Sequence, residues 1–268
     1  MKSIRIALIG WGAINRRVAE LLLDQPDAGV EIVAVGVAGE DRIPADLPSG
    51  AQRVWDPDKL EDCLPDIVIE AAGRDAVKMW GEAALKCADT FIACSTSAFC
   101  DEALLDHLRA VAVQHGSQVV VPPGALGGID VLSAAAILPL DNVVHRIVKP
   151  AKAWQGTRAE QLVDLASLRK AETFFSGSAR DAASAFPQNA NVTVITAIAG
   201  LGLDHTRVEL VADPNATGNC HQLHATGQFG RLELTIENRP LACNPKSSET
   251  TALNLVRLVL NRVRPVAV

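Results

Sequence analysis

The chain has 268 residues, of which 49% are hydrophobic and 21% are charged, and its formal net charge is −6. This length allows two domains with separate cores, and the composition is typical of a folded globular protein. The negative charge argues against nucleic acid or an anionic membrane as the main partner, and no apolar run reaches the ~20 residues of a membrane span.

The cysteines and the N-terminal residues predict a cytoplasmic protein. The six cysteines include no Cys-x-x-Cys pair, so we expect free thiols in a reducing compartment rather than disulfides or a structural zinc site. The apolar run at 6–9 is too short for a signal peptide, and glycine interrupts it.

The first predicted strand, residues 4–10, leads into a glycine-rich turn and a helix predicted at 13–23. Gly10 allows a tight turn, and Gly12 lets the backbone approach a pyrophosphate at the helix N-terminus. The turn therefore predicts a dinucleotide site, with an ordinary strand–helix connection as the alternative. Asn15 replaces the usual third glycine, so we expect the helix to lie slightly farther from the strand. Asn15→Gly should then tighten cofactor binding or leave it unchanged.

Short β-rich runs alternate with helical patterns as far as residue 121. The predicted strands are 31–37, 53–55, 67–72, 90–94 and 118–121, and the predicted helices are 59–63, 76–86 and 101–115. Strands separated by helices predict βαβ units and a parallel sheet of Rossmann type. No carboxylate follows the second strand at the position that usually holds the ribose 2′-hydroxyl, and Arg42 is close by. NAD and NADP both remain possible cofactors.

The pattern changes after Pro122. Strands are predicted at 143–149, 206–211, 222–225 and 232–237, and helices at 128–138, 160–170, 179–185, 192–201 and 249–262. Alternating polarity in these strands favours an antiparallel sheet. The predicted fold is α/β, with a Rossmann-type domain at 1–125 that is joined by the C-terminal helix 240–268. A second, α+β domain at 126–239 would bind substrate and form the dimer.

Hydride transfer from a polar substrate requires a group that takes up a proton, and imidazole suits that role near neutral pH. His107 and His115 lie on a helix that is patterned as solvated, and His145 lies near a strand start without polar neighbours. His221 and His224 are three apart on a predicted strand and so face opposite sides. At most one of these two therefore serves a given site, which argues against a shared metal.

Three further segments each have a functional and an ordinary interpretation. Lys149 and Lys152, near Trp154, could bind substrate carboxylates or belong to a solvated loop. The glycines within 124–128 suit a close approach to the nicotinamide or a domain hinge. The asparagines within 189–191 could reach a ligand or cap the following helix.

Taken in order, several segments make the chain resemble the L-aspartate dehydrogenase family. They are residues 10–14, 70–73, 124–130, 149–154, 186–192, 221–227 and 244–248. The resemblance implies a Rossmann domain followed by an α+β domain, commonly in a homodimer. It also implies oxidation of L-aspartate with NAD or NADP to iminoaspartate, which hydrolyses to oxaloacetate and ammonia.

The resemblance also implies roles for individual residues. His221 matches the active-site histidine, and the cofactor would lie over the residues Gly10, Gly12, Ala13, Ile14, Ala125 and Asn191. Lys149 and Lys152 are candidates for binding the substrate carboxylates. Arg74 differs from relatives, which often have histidine there. The alternatives are a reductase of another small dicarboxylate or imine, and a non-catalytic NAD(P)-binding sensor.

Overall fold

The computed structural model describes residues 3–268, apart from the side chains at positions 188, 190, 245 and 246. It divides into two compact units. The first comprises the chain up to Gly124 together with Thr251–Val268, and the second comprises Ala125–Thr250.

The first unit is built on a six-stranded parallel sheet. Its strands are β1 (Ile4–Ile9), β2 (Val30–Gly36), β3 (Gln52–Val54), β4 (Ile67–Glu70), β5 (Thr90–Ala93) and β6 (Gln118–Val120), in the order β3-β2-β1-β4-β5-β6. Its first helices are α1 (Ala13–Leu23), α2 (Arg74–Cys87) and α3 (Glu102–His115). This is the predicted Rossmann-type arrangement, in which β1 and β4 lie at the centre and the chain crosses over between them.

The second unit contains a five-stranded mixed sheet and a short hairpin. The elements are α4 (Ile129–Ala135), β7 (Leu140–Pro150), β8 (Glu172–Ser178), α5 (Ala179–Ala185), α6 (Ala190–Ala199), β9 (Arg207–Asp213), β10 (Asn219–Gly227), β11 (Gly230–Asn238), β12 (Pro240–Leu241) and β13 (Asn244–Ser248). The sheet order is β11-β10-β7-β9-β8. The predicted antiparallel sheet is partly wrong, because β7 and β9 pair in parallel after a connection that contains two helices.

The structure also differs from the predicted elements at several other places. The predicted helix at 59–63 is replaced by the 3-10 turns Pro57–Lys59 and Glu61–Cys63, and strand β8 was not predicted. Residues 160–170 form no helix beyond the short 3-10 turn Arg158–Gln161. Asp164 Oδ1 accepts from Ala166 N, and Ser167 Oγ donates to Asp164 O, so local side-chain bonds compete with helix formation. The hairpin β12–β13 lies in the second unit, whereas the sequence assigned all of 240–268 to the first domain.

The C-terminal helix α7 (Glu249–Val263) completes the core of the first unit. Its buried apolar face, which includes Leu255 and Val259, packs in one cluster with Ile6, Leu8 and Val18. Burial of this face holds the end of the chain against the sheet. Within residues 3–268, every helix is too short or too polar to span a bilayer.

Candidate functional site

The glycine turn between β1 and α1 forms one wall of a cavity in the first unit. Gly10 has a φ of +88°, and a Cβ built on it would lie 2.5 Å from Ala72 Cβ, so the position requires glycine. A Cβ on Gly12 would meet no atom within 4 Å, which leaves an open approach to the backbone at the start of α1. No side chain caps that helix terminus, so its N–H groups suit a phosphate.

The cavity has a volume of about 470 Å³. Its lining includes Gly10, Gly12, Val37, Ala38 and Ala72. The glycine turn, the uncapped helix and the apolar wall at the end of β2 fit a dinucleotide. Residues of this turn would hold the pyrophosphate through backbone N–H groups. Ala13 and Ile14, the other predicted cofactor residues of the turn, are the first two residues of α1.

A buried carboxylate holds the wall of this cavity that lies beside the glycine turn. Glu70, at the end of β4, is 0% exposed. Its Oε1 accepts from Ala72 N at 2.6 Å and Gly73 N at 2.8 Å, and Oε2 accepts from Ser95 N at 3.0 Å. Burial raises the pKa of Glu70, although these hydrogen bonds act in the opposite direction. Glu70 therefore fixes the loop that contacts Gly10, a role that the sequence reasoning missed.

Asn15 connects α1 to the end of β1. It is fully buried, and its Nδ2 donates to Ile9 O at 2.9 Å and to Gly10 O at 2.8 Å. The residue that replaces the usual glycine thus bonds directly to the glycine turn. Asn15 therefore has a structural role, whereas the sequence pattern predicted only that it increases the distance between the helix and the strand.

Two guanidinium groups lie where the cavity reaches the end of β2. Arg16 and Arg42 both contribute to the lining, as does Asp75 from α2. Arg16 forms an ion pair with Asp46, whose carboxylate also accepts from Trp11 Nε1. Arg42 therefore lines the same cavity as the apolar residues Val37 and Ala38.

In the second unit, strand register places His145, Lys149 and His221 on one face of the sheet. His221 pairs with Ile147 of β7, so His145 and Lys149 are its diagonal neighbours on either side. His145 is 0% exposed and His221 is 5% exposed. The sequence reasoning described His145 as lacking polar neighbours, and this is wrong: its Nε2 lies 3.1 Å from His221 Nδ1.

Burial dominates the electrostatics of this cluster. It lowers the pKa of His145 to about 4 and holds the pKa of His221 well below its usual value, with smaller effects on His221 from His145 and Lys149. Burial also lowers the pKa of Lys149 to about 8. Near neutral pH the cluster thus combines an unprotonated imidazole with an ammonium group.

Aromatic and amide groups surround the Lys149 ammonium. Its Nζ donates to Asn189 Oδ1 and lies 5.1 Å from the centroid of the Trp154 ring. Trp154 is itself buried against Phe174, with ring centroids 4.8 Å apart. The cation therefore has a defined position, held by an amide oxygen and a ring face.

The structure places the remaining candidates away from this buried face. Lys152 is exposed in the 3-10 turn Ala151–Trp154. His224 faces the other side of β10, where its Nε2 lies 3.7 Å from Glu233. Asn191 is exposed near the start of α6. Ala125 begins the second unit, and its carbonyl accepts from Asn238 Nδ2 at 2.9 Å.

The chain matches two known protein families in sequence. Residues 130–262 match the family described as aspartate dehydrogenase, C-terminal, and residues 10–122 match homoserine dehydrogenase, NAD binding domain. An L-aspartate dehydrogenase of Brucella anthropi is 54% identical over 261 residues, covering 97% of each chain. The chain belongs to the L-aspartate dehydrogenase family. The resemblance inferred from the sequence segments is thereby confirmed, as is NAD or NADP as the cofactor.

More distant members of the L-aspartate dehydrogenase family agree over the whole length. One from Cupriavidus taiwanensis is 40% identical over 99% of this chain and 100% of its own. The crystal structure of aspartate dehydrogenase from Thermotoga maritima superposes with a TM-score of 0.77 at 26% identity, covering 99% of both chains. The comparisons thus confirm the predicted fold, an N-terminal Rossmann-type domain with a second domain, and the assignment as an enzyme.

Proposed function

We propose that this chain is an NAD(P)-dependent dehydrogenase that oxidises L-aspartate to iminoaspartate, from which water releases oxaloacetate and ammonia. The observation that carries the proposal is the placement of a buried neutral imidazole, His221, and a half-buried ammonium group, Lys149, on one sheet face. Dehydrogenation of an amino acid requires a base, and a dicarboxylate substrate requires a cation. The names of the relatives support L-aspartate as that substrate.

His221 would act twice as a general base. The bound nicotinamide supplies the acceptor for the hydride that leaves Cα. His221 first takes a proton from the substrate ammonium group, so that the nitrogen lone pair is free to form the C=N bond as the Cα–H bond breaks. After this proton has passed to solvent, the neutral ring takes a proton from the water that adds to the imine carbon and returns it to the nitrogen, which leaves as ammonia. Burial keeps its pKa low, so the ring is neutral and has a free lone pair at neutral pH.

Lys149 would bind a substrate carboxylate. The ammonium is held by Asn189 Oδ1 and the Trp154 ring, so little conformational freedom is lost when a carboxylate binds. With a pKa of about 8, Lys149 is mostly charged at neutral pH. Lys152, which is exposed, is the second candidate for the same role.

Paired substitutions on β10 test the base. His221→Ala should lower kcat by ~10²–10⁴-fold, as measured by absorbance at 340 nm with L-aspartate, and should leave the cofactor Kd nearly unchanged. His224→Ala, on the opposite face of the same strand, is the matched control and should retain kcat. Retained turnover in His221→Ala would refute the assignment. Tight cofactor binding without any turnover in the parent protein would favour a sensor.

The remaining assignments stay predictions. Gly10, Gly12, Ala13 and Ile14 are proposed to bind the cofactor from the first unit. The proposed roles of Ala125 and Asn191 rest on the family resemblance. A homodimer is expected from the family resemblance and a cytoplasmic location from the cysteines and the N-terminal residues. Light scattering of the purified protein tests the dimer.

A further inference from the structure

A chain of hydrogen bonds runs from helix α6 to His221. Thr196 Oγ1 lies 2.9 Å from Val192 O and 3.0 Å from His145 Nδ1. His145 Nε2 in turn lies 3.1 Å from His221 Nδ1. Thr196, His145 and His221 are each no more than 5% exposed, so this chain is shielded from bulk water.

The Val192 carbonyl, where this series of hydrogen bonds ends, determines which atoms carry the protons. A backbone carbonyl only accepts, so the 2.9 Å contact with Val192 O requires the Thr196 hydroxyl proton. Thr196 Oγ1 must then accept from His145 Nδ1–H. A neutral imidazole carries a single N–H, so His145 Nε2 is an acceptor and receives Nδ1–H of His221. The same rule leaves the Nε2 atom of His221 without a proton.

The reverse arrangement is disfavoured by the same geometry. If Thr196 donated to His145, its oxygen would face the Val192 carbonyl oxygen at 2.9 Å without an intervening hydrogen. His221 would then carry its proton on Nε2 and could not act as a base there. One carbonyl on α6 thereby selects between a basic and a non-basic form of His221.

Few groups near His221 could change this arrangement of protons. On the face that His221 shares, β9 and β11 present the apolar side chains Val208, Leu210, Leu234 and Ile236. Helix α6 carries no titratable residue. Among residues 3–268, the side chains that lower the pKa of His221 in addition to burial are His145 and Lys149. Burial lowers the pKa of both histidines, so both rings stay neutral near pH 7.

We propose that His145 and Thr196 are positioning residues that hold His221 in the tautomer with a proton on Nδ1 and a free lone pair on Nε2. This inference rests on the proposed function, because it assigns the basic atom of the proposed base. His145 and Thr196 act through His221 and not on the substrate.

The tautomer is measured directly in the parent protein. Two-dimensional ¹H–¹⁵N spectra of protein labelled with ¹⁵N-histidine distinguish the two neutral forms of each ring, and His221→Gln assigns the signal. We expect His221 to carry its proton on Nδ1 at pH 7. A proton on Nε2 would overturn the proposal, even if L-aspartate is oxidised. Absence of L-aspartate turnover together with the Nδ1–H form would instead count against the proposed function alone.

Two substitutions at Thr196 separate its positioning role from packing, because valine keeps the shape of the side chain and serine keeps the hydroxyl. Thr196→Val removes the acceptor for His145 Nδ1–H, and we expect kcat to fall about tenfold or more while the cofactor Kd is unchanged. The His221 signal should shift towards the Nε2–H form. Thr196→Ser retains the hydroxyl and should restore both the kcat and the spectrum of the parent. Equal effects of valine and serine, or a lower kcat without any change of tautomer, would overturn the proposal.

Discussion

Replacing Glu70 by glutamine tests how the cavity wall beside the glycine turn is held. The carboxylate accepts three hydrogen bonds on Oε1, from Ala72 N, Gly73 N and Ser95 Oγ, and one on Oε2, from Ser95 N. Glutamine has almost the same shape but has one acceptor oxygen and an NH₂ group. In either orientation, the NH₂ group faces at least one backbone N–H.

The expected magnitude follows from these bonds. A buried donor left without a partner costs about 1–3 kcal/mol, and the remaining bonds lose the assistance of the charge. Burying a neutral amide in place of a carboxylate offsets part of this loss. We therefore expect Glu70→Gln to lower the free energy of unfolding by about 2 kcal/mol. The loop that contacts Gly10 should loosen, with cofactor Kd rising about tenfold.

The assay is urea unfolding together with titration of NADH and NADPH by fluorescence. Glu31→Gln is the matched control, because Glu31 lies on the same sheet with an exposed side chain paired to Arg5. Its effect on the free energy of unfolding should stay below about 1 kcal/mol. If Glu70→Gln unfolds at the urea concentration of the parent and binds both cofactors equally well, the carboxylate does not hold the loop.

Three further predictions concern other buried or charged groups. Asn15→Gly should lower the free energy of unfolding by about 1–3 kcal/mol, because both bonds to β1 and its turn are lost. It should also weaken cofactor binding, which reverses the expectation from the sequence; unchanged or tighter binding would contradict this. His145 has a folded pKa of about 4, which is below its usual value of about 6.5. Its contribution to the free energy of unfolding is therefore fully present above about pH 6.5 and is lost as the pH falls towards 4. The total loss is about 3 kcal/mol. Urea unfolding of His145→Gln should therefore depend less on pH than the parent, whereas the exposed control His115→Gln should match it. Arg42→Ala should raise the Kd of NADPH about tenfold and that of NADH much less, since a guanidinium suits a 2′-phosphate; equal weakening would refute this.

Local sequence patterns predicted much of the fold of the first unit. Gly10 and Gly12 follow an apolar strand directly, and the apolar runs of β4 and β5 are typical of strands covered on both faces. The order and spacing of strands and helices therefore predicted a parallel sheet. Asn15 was predictable only as a departure from the motif, because its bonds to Ile9 and Gly10 depend on the angle between α1 and β1.

The histidine cluster depends on strand register, which a single sequence does not specify. His145 and His221 lie 76 residues apart in the chain. The alternation of buried residues along β7 could have shown that His145 and Lys149 share a face. That His221 lies between them follows only from its pairing with Ile147. The failed helix at 160–170 had a local signal, since Asp164 and Ser167 both favour turns over helix interiors.

The substrate profile of the purified parent protein tests the proposed oxidation of L-aspartate most directly. A panel of amino acids is assayed at 340 nm with NAD and with NADP, and includes L-aspartate, L-glutamate, L-asparagine and L-alanine. We expect the highest kcat/KM for L-aspartate, with the substrates that lack its side-chain carboxylate far lower. A higher kcat/KM for L-alanine or L-asparagine would contradict this expectation, because neither has a second carboxylate for a lysine to bind.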